Sequence, residues 1–382
     1  MEIAPGEPLK FGVLQTFSGG AMPAGLEQAR TVELAVAERQ NMLLGHPIQL
    51  LVEDDACSAE GGANGALRIV ADPQVIAIFG TNCSSAAVTA SEIMSMAGLV
   101  MISSSNTAPE LTVVGNHLGR HWFPGYFRTS WNDTETGRAA AMFAAQQLGL
   151  HKAAVLHAGD SYTKGLTDAF TKAFTELDGQ VVAKIAVDED DPNFLPALET
   201  IARSGAEMVF FSLSQPGAGG RLVLQAQGQH ALANLVWIGG EGMLSEAFIQ
   251  DVGSAGVGVY ILGPGSPSSL ENMQLRDQYR QRYGETPPSF YYSFTYDAVS
   301  LLFGAIESVA SRDKDGTLRI GRQALRDAMY ATRGYEGLTG TIDCNRFGDC
   351  GVATLNVVRM ERAGMSVEQL HANVVYIYTS SR

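Results

Sequence analysis

The segment VIAIFGTNCSSAAVTASEIMSMAGLVMISSSNT, residues 75–107, determines the fold class. It begins with a short apolar run typical of a buried strand, continues with a stretch of helical composition, and ends with a second apolar run. Short buried strands that alternate with helices indicate βαβ units, in which a parallel sheet carries helices on both faces. The segment therefore predicts an α/β fold.

The same alternation extends to both sides of this segment and forms two sets. Predicted strands of the first set cover residues 9–17, 48–55, 75–82 and 99–105. Those of the second set cover residues 152–160, 180–188, 208–214 and 235–242. Helices then return, and residues 337–360 and 371–378 read as antiparallel strands. A chain of 382 residues with two such sets predicts two α/β domains.

Composition excludes several classes of partner. Hydrophobic residues make up 46% and charged residues 17% of the chain, as in a well-packed globular protein. The formal charge of -14 argues against nucleic acid and against an anionic membrane surface. The amino-terminal MEIAPGEPLKFGVLQ has no basic region followed by an apolar stretch. We therefore expect either a cytosolic protein or a mature extracytoplasmic form without its signal peptide.

The residues that follow the predicted strands are the candidates for a binding site, because ligands of open parallel sheets lie outside the carboxyl ends of the strands. Ser84 and Ser85 start a predicted helix, where free backbone N–H groups favour a carboxylate. Glu241 stands between two glycines, where its carboxylate could meet a cation. Together these groups suit a zwitterion such as an α-amino acid. The full set is Ser84, Ser85, Ser105, Asn106, Thr107, Tyr162, Gln215, Glu241 and Tyr292.

An enzyme is the first alternative. Cys83 lies at a strand-to-helix turn, where a thiolate nucleophile is possible, and His157 is the best-placed base. Against this, Cys57 follows a strand that we expect to lie beside the strand before Cys83, so the two cysteines could approach disulfide distance. Cys344 and Cys350 flank a short loop, although four cysteines allow three connectivities.

Cofactor and metal motifs are weak in this sequence. Neither a G-x-G-x-x-G after the first strand nor a G-x-x-x-x-G-K-[ST] occurs. Residues 313–317, DKDGT, start like a calcium loop but lack the later glycine and glutamate. We therefore expect no cofactor, no bound metal and no catalytic residue.

Seven segments carry a resemblance to a known family. VEDDACSAEGGANGALRIV, IFGTNCSSAAVTA, LVMISSSNTAPELT, FRTSWNDTETG, LHAGDSYTKGLTDAF, WIGGEG and LTGTIDCNRFGD occur in this order along the chain. They are similar to the corresponding segments of leucine/isoleucine/valine-binding proteins, which belong to the type 1 periplasmic binding-protein family. The likeness runs from about Leu9 to Val375.

The resemblance implies two Rossmann-like lobes joined by three crossovers, which close on the ligand by a hinge motion. Lobe I would comprise residues 1–128 and 260–336, and lobe II residues 129–259 and 337–382. It also implies a periplasmic or cell-surface monomer that delivers an amino acid, with a branched-chain or other apolar or aromatic side chain, to the membrane permease of an ABC importer without chemistry. A ligand-sensing protein of the same fold, either a regulator responsive to amides or urea or the ligand domain of a receptor, is the alternative function.

The resemblance also implies residue roles. Ser84 would hold the substrate carboxylate, while the carbonyl of Asn106 and the hydroxyl of Thr107 would hold the amino group. Tyr162 would cover the ligand, and Glu241 would meet the ammonium. The cysteines at 57 and 83 match the disulfide of the branched-chain binders.

The side-chain pocket departs from the branched-chain pattern. Ala24 stands where those binders carry a large aromatic residue, and Ser104 and Asn106 make the cage more polar. Tyr291 or Tyr292 could face the ligand from the other wall, or either could pack in a helix core. The identity of the amino acid therefore stays open.

Overall fold

The structure, a computed structural model, describes residues 1–265, 269–351 and 354–380. The chain divides into two compact units, each built from two segments. The first unit consists of Met1–Trp131 and Pro267–Val352, and the second of Asn132–Ser266 and Ala353–Arg382. Residues 129–131 and 337–351, which the resemblance assigned to lobe II, therefore belong to the first unit, whereas residues 260–265, assigned to lobe I, belong to the second. Asp297 of the first unit accepts hydrogen bonds from the backbone N–H groups of Leu338 and Thr339.

The first segment of the first unit alternates strands and helices as the sequence predicts. Its elements are β1 (Glu2–Ile3), β2 (Leu9–Gln15), α1 (Met22–Glu38), β3 (Met42–Leu43), β4 (His46–Asp54), α2 (Ala59–Val70), β5 (Val75–Gly80), α3 (Ser84–Met96), β6 (Val100–Ser103), β7 (Val113–Val114), β8 (His117–Leu118) and β9 (Tyr126–Arg128).

The second unit continues the alternation. Its first segment contains α4 (Asp133–Met142), β10 (Lys152–His157), α5 (Ser161–Glu176), β11 (Gln180–Ala186), α6 (Leu195–Ser204), β12 (Met208–Ser212), α7 (Pro216–Gln227), β13 (Val236–Gly239), α8 (Glu246–Val252) and β14 (Tyr260–Pro264). A π-helical turn, Phe143–Gln147, extends α4.

The chain then returns to the first unit and ends in the second. The returning elements are α9 (Leu270–Tyr283), α10 (Tyr291–Val309), β15 (Ser311–Arg312), β16 (Leu318–Arg319), α11 (Arg322–Tyr330), β17 (Tyr335–Gly337) and β18 (Gly340–Ile342). The final elements are β19 (Thr354–Arg359), α12 (Val367–Ala372) and β20 (Val374–Thr379).

The main sheet of the first unit has six strands in the order β3-β4-β2-β5-β6-β9. All of its pairs are parallel except β3 with β4. Every residue of β5 is buried, as expected for a strand covered on both faces. Since β2 lies between β4 and β5, the expectation that the strands preceding Cys57 and Cys83 are neighbours is wrong.

The main sheet of the second unit has seven strands in the order β11-β10-β12-β13-β14-β19-β20. The strands from β11 to β14 pair in parallel, whereas β19 and β20 add antiparallel strands at one edge. These observations confirm the predicted α/β class with parallel-type sheets and the antiparallel carboxyl-terminal strands. Of the helices that the structure describes, none has the length and apolar character needed to cross a membrane.

Candidate functional site

Helix α3 begins at Ser84, directly after the all-buried strand β5 and a short loop. Its N-cap residue, Cys83, makes no side-chain hydrogen bond to the first turn. The Cys83 side chain therefore does not cap the N–H groups at the start of this helix. Such N–H groups and the partial positive charge of a helix start favour an anionic ligand group.

The two serines of this turn have different partners. The Ser84 hydroxyl, almost fully buried, accepts a hydrogen bond from the Ala108 backbone N–H at 3.4 Å. The Ser85 hydroxyl donates to the carbonyl of Cys57 at 3.1 Å. Ser84 therefore connects the start of α3 to the loop after β6, while the side chain of Ser85 supports the cysteine loop.

The loop after β6, residues 104–108, brings the predicted Ser105, Asn106 and Thr107 to the same edge of the sheet. The Ser103 hydroxyl organises it, because it accepts from the backbone N–H of Asn106 at 3.0 Å and donates to the Thr81 carbonyl at 2.7 Å. Thr107 is buried in this loop. Predicted hydroxyl groups from two successive strand ends are thus held together within the first unit.

Asn106 has a different role from the one expected. Its backbone carbonyl accepts hydrogen bonds from Arg128 Nη1 at 3.0 Å and from the Ser130 hydroxyl at 2.9 Å. A carbonyl oxygen has two lone pairs, so both are used inside the protein. The Asn106 carbonyl therefore supports the loop, which contradicts the expectation that it holds a ligand amino group.

Gln28 of α1 belongs to this cluster, although the sequence did not single it out. It is fully buried, its Nε2 donates to the Ser105 hydroxyl at 2.9 Å, and its Oε1 accepts from the Ser104 hydroxyl at 2.9 Å. The Thr295 hydroxyl of α10 extends the network to Ser104 at 2.8 Å. A usable signal was Gln28 itself, a polar residue whose i+4 and i+7 neighbours on the same helix face, Val32 and Ala35, are apolar and buried.

Tyr292 lies outside this cluster, which corrects its assignment as a ligand residue. Its ring is buried in a small core formed with Leu34, Leu275 and Tyr279, and its hydroxyl accepts a hydrogen bond from Asn272 Nδ2 at 3.1 Å. The neighbouring Tyr291 instead stacks on Trp131, with ring centroids 6.3 Å apart. A change of one residue rotates a helical side chain by about 100°, so the two tyrosines face different surroundings.

The four cysteines form two disulfides, Cys57–Cys83 and Cys344–Cys350. The first of these closes the loops after β4 and β5, which lie on either side of β2. Cys83 is consequently not a thiol, and the nucleophile hypothesis has no reactive group.

A buried carboxyl group lies beside the first disulfide. Asp55 accepts from the Thr16 hydroxyl at 2.6 Å and from the Cys57 backbone N–H at 2.8 Å. Burial raises its pKa to about 6, although both hydrogen bonds act in the opposite direction.

In the second unit, the predicted Tyr162 and Glu241 come together. Asp160 caps α5 by accepting from the backbone N–H groups of Tyr162 at 2.8 Å and of Thr163. A Cβ atom added to Gly240 would lie 3.5 Å from the Tyr162 hydroxyl, and one added to Gly242 would lie 3.7 Å from it. The tyrosine hydroxyl therefore lies beside the two glycines that flank Glu241, and the glutamate itself is only 8% exposed.

Gln215 is the N-cap residue of α7, and its side chain is engaged within the second unit. Its Nε2 donates to Asp190 Oδ1 at 3.2 Å, and its backbone N–H donates to Glu189 Oε1 at 3.1 Å. Glu189 also accepts from the Ser214 backbone N–H. Burial raises the pKa of Glu189 to about 7, against these hydrogen bonds.

No group of three or more His, Cys, Asp or Glu side chains suited to a metal ion occurs among the residues described. The DKDGT segment forms the turn between β15 and β16, where Asp315 accepts from the Thr317 backbone N–H at 3.0 Å.

Two α/β units, each with polar and hydroxyl groups at the carboxyl ends of its parallel strands, are an arrangement typical of small-molecule-binding proteins. The sequence profile described as "Periplasmic binding protein" matches residues 8–364. The chain therefore belongs to the periplasmic binding protein family, as its sequence resemblance implied. The family description and the names of the curated relatives describe binding proteins, which accords with the expectation of a non-enzymatic protein.

Several relatives and solved structures are similar to the chain. An amino acid binding protein of Pseudomonas aeruginosa is 27% identical over 271 residues, which is 70% of each chain. A Leu/Ile/Val-binding protein homolog of Brucella melitensis is 24% identical over 92% of this chain and 91% of its own. A leucine-binding protein structure from Thermotoga maritima has a TM-score of 0.81 at 22% identity, covering 97% of this chain and 99% of that one. A solute-binding protein from R. palustris in complex with benzoate has a TM-score of 0.78 at 22% identity, covering 96% and 97%.

Proposed function

We propose that this protein is the extracytoplasmic solute-binding component of an ABC importer and that it binds an amino acid. The observation that carries this proposal is the junction of the α3 start with the 104–108 loop through Ser84 and Ala108. A helix start with nearby hydroxyl groups is a site for a carboxylate. Relatives named as amino acid and Leu/Ile/Val-binding proteins support the same class of ligand.

The candidate residues other than Asn106 and Tyr292 each receive a chemical role in this proposal. Ser84, together with the first-turn N–H groups of α3, binds the ligand carboxylate, and Ser85 contributes its backbone. Thr107 and Glu241 bind the ammonium, because the Asn106 carbonyl is occupied by Arg128 and Ser130. Tyr162 packs on the ligand. Ser105 donates to the Asn82 carbonyl and Gln215 donates to Asp190, so we give these two side chains supporting roles within their own units.

The proposal includes the expected partner and location. An importer component delivers its ligand to a membrane permease, and it works in the periplasm or at the cell surface. Two disulfides accord with an oxidising compartment. We propose that the protein acts as a monomer there.

A thermal-shift screen tests the ligand class. The panel contains the twenty amino acids, urea, short amides, benzoate and 4-hydroxybenzoate. A compound present at about 100 times its Kd adds about 2.7 kcal/mol to the free energy of unfolding, which raises the Tm measurably. We expect stabilisation by a subset of the amino acids. Stabilisation by benzoates alone would overturn the amino-acid proposal and the role of Glu241, because a benzoate has no ammonium group.

A further inference from the structure

The side chain of Arg128 is hydrogen-bonded to the loop after β6, residues 104–108, which we call the candidate ligand loop. The residue ends β9 and is completely buried. Its Nη1 donates to the carbonyl of Asn106 at 3.0 Å and to the carbonyl of Ala108 at 2.9 Å, while its Nη2 donates to the Thr112 hydroxyl at 2.6 Å. The two carbonyls belong to the residues immediately before and after Thr107, so one guanidinium group holds the backbone on both sides of this residue.

Asp349 pairs with the same guanidinium. Its Oδ1 lies 2.6 Å from Arg128 Nε, and its side chain is 12% exposed. Asp349 lies within the loop that the Cys344–Cys350 disulfide closes. This partner stabilises the buried arginine, because an unpaired charge in the interior is strongly destabilising.

The disulfide loop is also hydrogen-bonded to the backbone of β9. The Arg128 N–H donates to the Gly348 carbonyl at 2.9 Å, and the Cys350 N–H donates to the Arg128 carbonyl at 2.9 Å. Gly348 has a φ of +96°, and a Cβ atom there would lie 2.1 Å from the Tyr126 carbonyl oxygen, so only glycine allows this approach. The loop therefore lies directly against the strand that carries Arg128.

We propose that Arg128 is a positioning residue for the ligand site and that the Cys344–Cys350 loop holds it in place through Asp349. This inference rests on the proposed function, since it assigns Thr107 to the ligand. Charge-assisted hydrogen bonds to two carbonyls fix the loop before the ligand arrives, and a site that is already ordered binds more tightly because less entropy is lost. Loss of the Arg128 clamp lowers affinity without removing any group that touches the ligand.

A second buried arginine of the same unit provides a matched control. Arg326 donates to the Leu99 carbonyl from Nε at 3.1 Å and to the Ser95 carbonyl from Nη2 at 2.8 Å. Leu99 precedes β6, whereas Asn106 follows it, so Arg326 clamps the opposite end of the same strand. Replacement of either arginine by lysine removes a buried carbonyl clamp, but only Arg128→Lys affects the candidate ligand loop.

The experiment measures affinity and local order in the full chain. Titration calorimetry compares the wild type, Arg128→Lys and Arg326→Lys at a temperature where all three are folded by circular dichroism. The probe is L-leucine, or benzoate if benzoate is the compound that stabilises the wild type. We expect Arg128→Lys to weaken binding at least tenfold and Arg326→Lys to change it less than twofold. Equal weakening by both variants, or a change below twofold for Arg128→Lys, would overturn the proposal.

Milder variants and a ligand-free measurement keep the test decisive. If Arg128→Lys does not fold, Asp349→Asn and the double variant Cys344→Ser/Cys350→Ser replace it, with the same expected direction. Hydrogen exchange of residues 104–112 without ligand should accelerate at least tenfold in these variants and remain unchanged in Arg326→Lys. Unchanged exchange in this segment would overturn the positioning role. Faster exchange in a protein that binds no compound of the panel would instead contradict the proposed function and leave the positioning role supported.

Discussion

The Oε1 atom of Glu27 lies 2.9 Å from the backbone nitrogen of Tyr292, which is 265 residues further along the chain. The Glu27 carboxylate also accepts from the Ser289 backbone N–H at 2.6 Å and from the Ser289 hydroxyl at 2.7 Å. A carboxylate of α1 thereby caps the start of α10 and connects the two chain segments that form the first unit. A negative charge at a helix start is favourable, but burial opposes it.

The pH dependence of stability should reveal this buried carboxyl group. Burial raises the pKa of Glu27 from 4.5 to about 7 in the folded protein. Between these values the folded state binds the additional proton, so the free energy of unfolding should fall as the pH rises from 5 to 8. Glu27→Gln should remove roughly 2–3 kcal/mol of this fall. Urea unfolding at both pH values measures it, with the exposed Glu60→Gln as control. An unchanged pH dependence in Glu27→Gln would contradict the assignment.

The two disulfides should contribute unequally to stability. Cys57 and Cys83 are separated by 26 residues, whereas Cys344 and Cys350 are separated by 6. A longer closed loop restricts the unfolded chain more, so Cys57→Ser/Cys83→Ser should cost about 2–4 kcal/mol. The Cys344→Ser/Cys350→Ser variant serves as the comparison and should cost roughly 1 kcal/mol less. Urea unfolding of both double variants decides the order, and a larger loss from the short loop would refute this explanation.

Glu241→Gln tests the ammonium partner. The substitution retains the shape of the side chain but removes the negative charge from a nearly buried position. We expect a loss of about 2–4 kcal/mol in the binding free energy of an amino acid, or roughly 30- to 1,000-fold in Kd.

Glu207→Gln is a suitable control for this substitution. Glu207 lies just before β12 and accepts from the backbone N–H groups of His151 and Lys152. Glu241 follows β13, which pairs in parallel with β12, so the two glutamates lie at opposite ends of the sheet. The control should bind the amino acid like the wild type. If Glu241→Gln did so too, calorimetry would exclude Glu241 from the site.

Tyr292→Phe should separate stability from binding. The variant loses the hydrogen bond from Asn272 Nδ2 to the phenol and should cost about 1 kcal/mol in the free energy of unfolding. Amino-acid affinity should stay within twofold of the wild type, because the ring belongs to the core beside α9. Thermal unfolding and calorimetry on the same sample give both numbers. A marked loss of affinity would restore Tyr292 as a ligand residue.

Local patterns in the sequence were sufficient for the class of fold and for much of the candidate site. The apolar run of β5 predicted a strand covered on both faces, because an uninterrupted run of apolar residues is stable only where all of them are buried. The start of α3 at Ser84 followed from the change from a strand pattern to a helical pattern. Ser84, Ser105 and Thr107 could be proposed together because the carboxyl ends of parallel strands meet at one edge of a sheet.

Other features depend on which distant segments lie side by side. The place of β2 between β4 and β5 follows from sheet pairing, which no strand encodes alone. The same holds for the core position of Tyr292. Tyr291 and Tyr292 are the same residue type in the sequence, but on the helix they face different neighbours. The assignment of residues 337–351 to the first unit likewise depends on long-range hydrogen bonds to Asp297.

The sequence by itself therefore determined the α/β class, the family and the residue types at the strand ends, because these depend on periodicity and on local order along the chain. The tertiary structure alone decided the partners of those residues. Arg128 holds the Asn106 and Ala108 carbonyls, Asp349 pairs with Arg128 across 221 residues of sequence, and Gln28 joins two serines 76 and 77 residues away. Hydrogen bonds between buried groups are satisfied in space and not in sequence, so their partners become known only when the chain is folded.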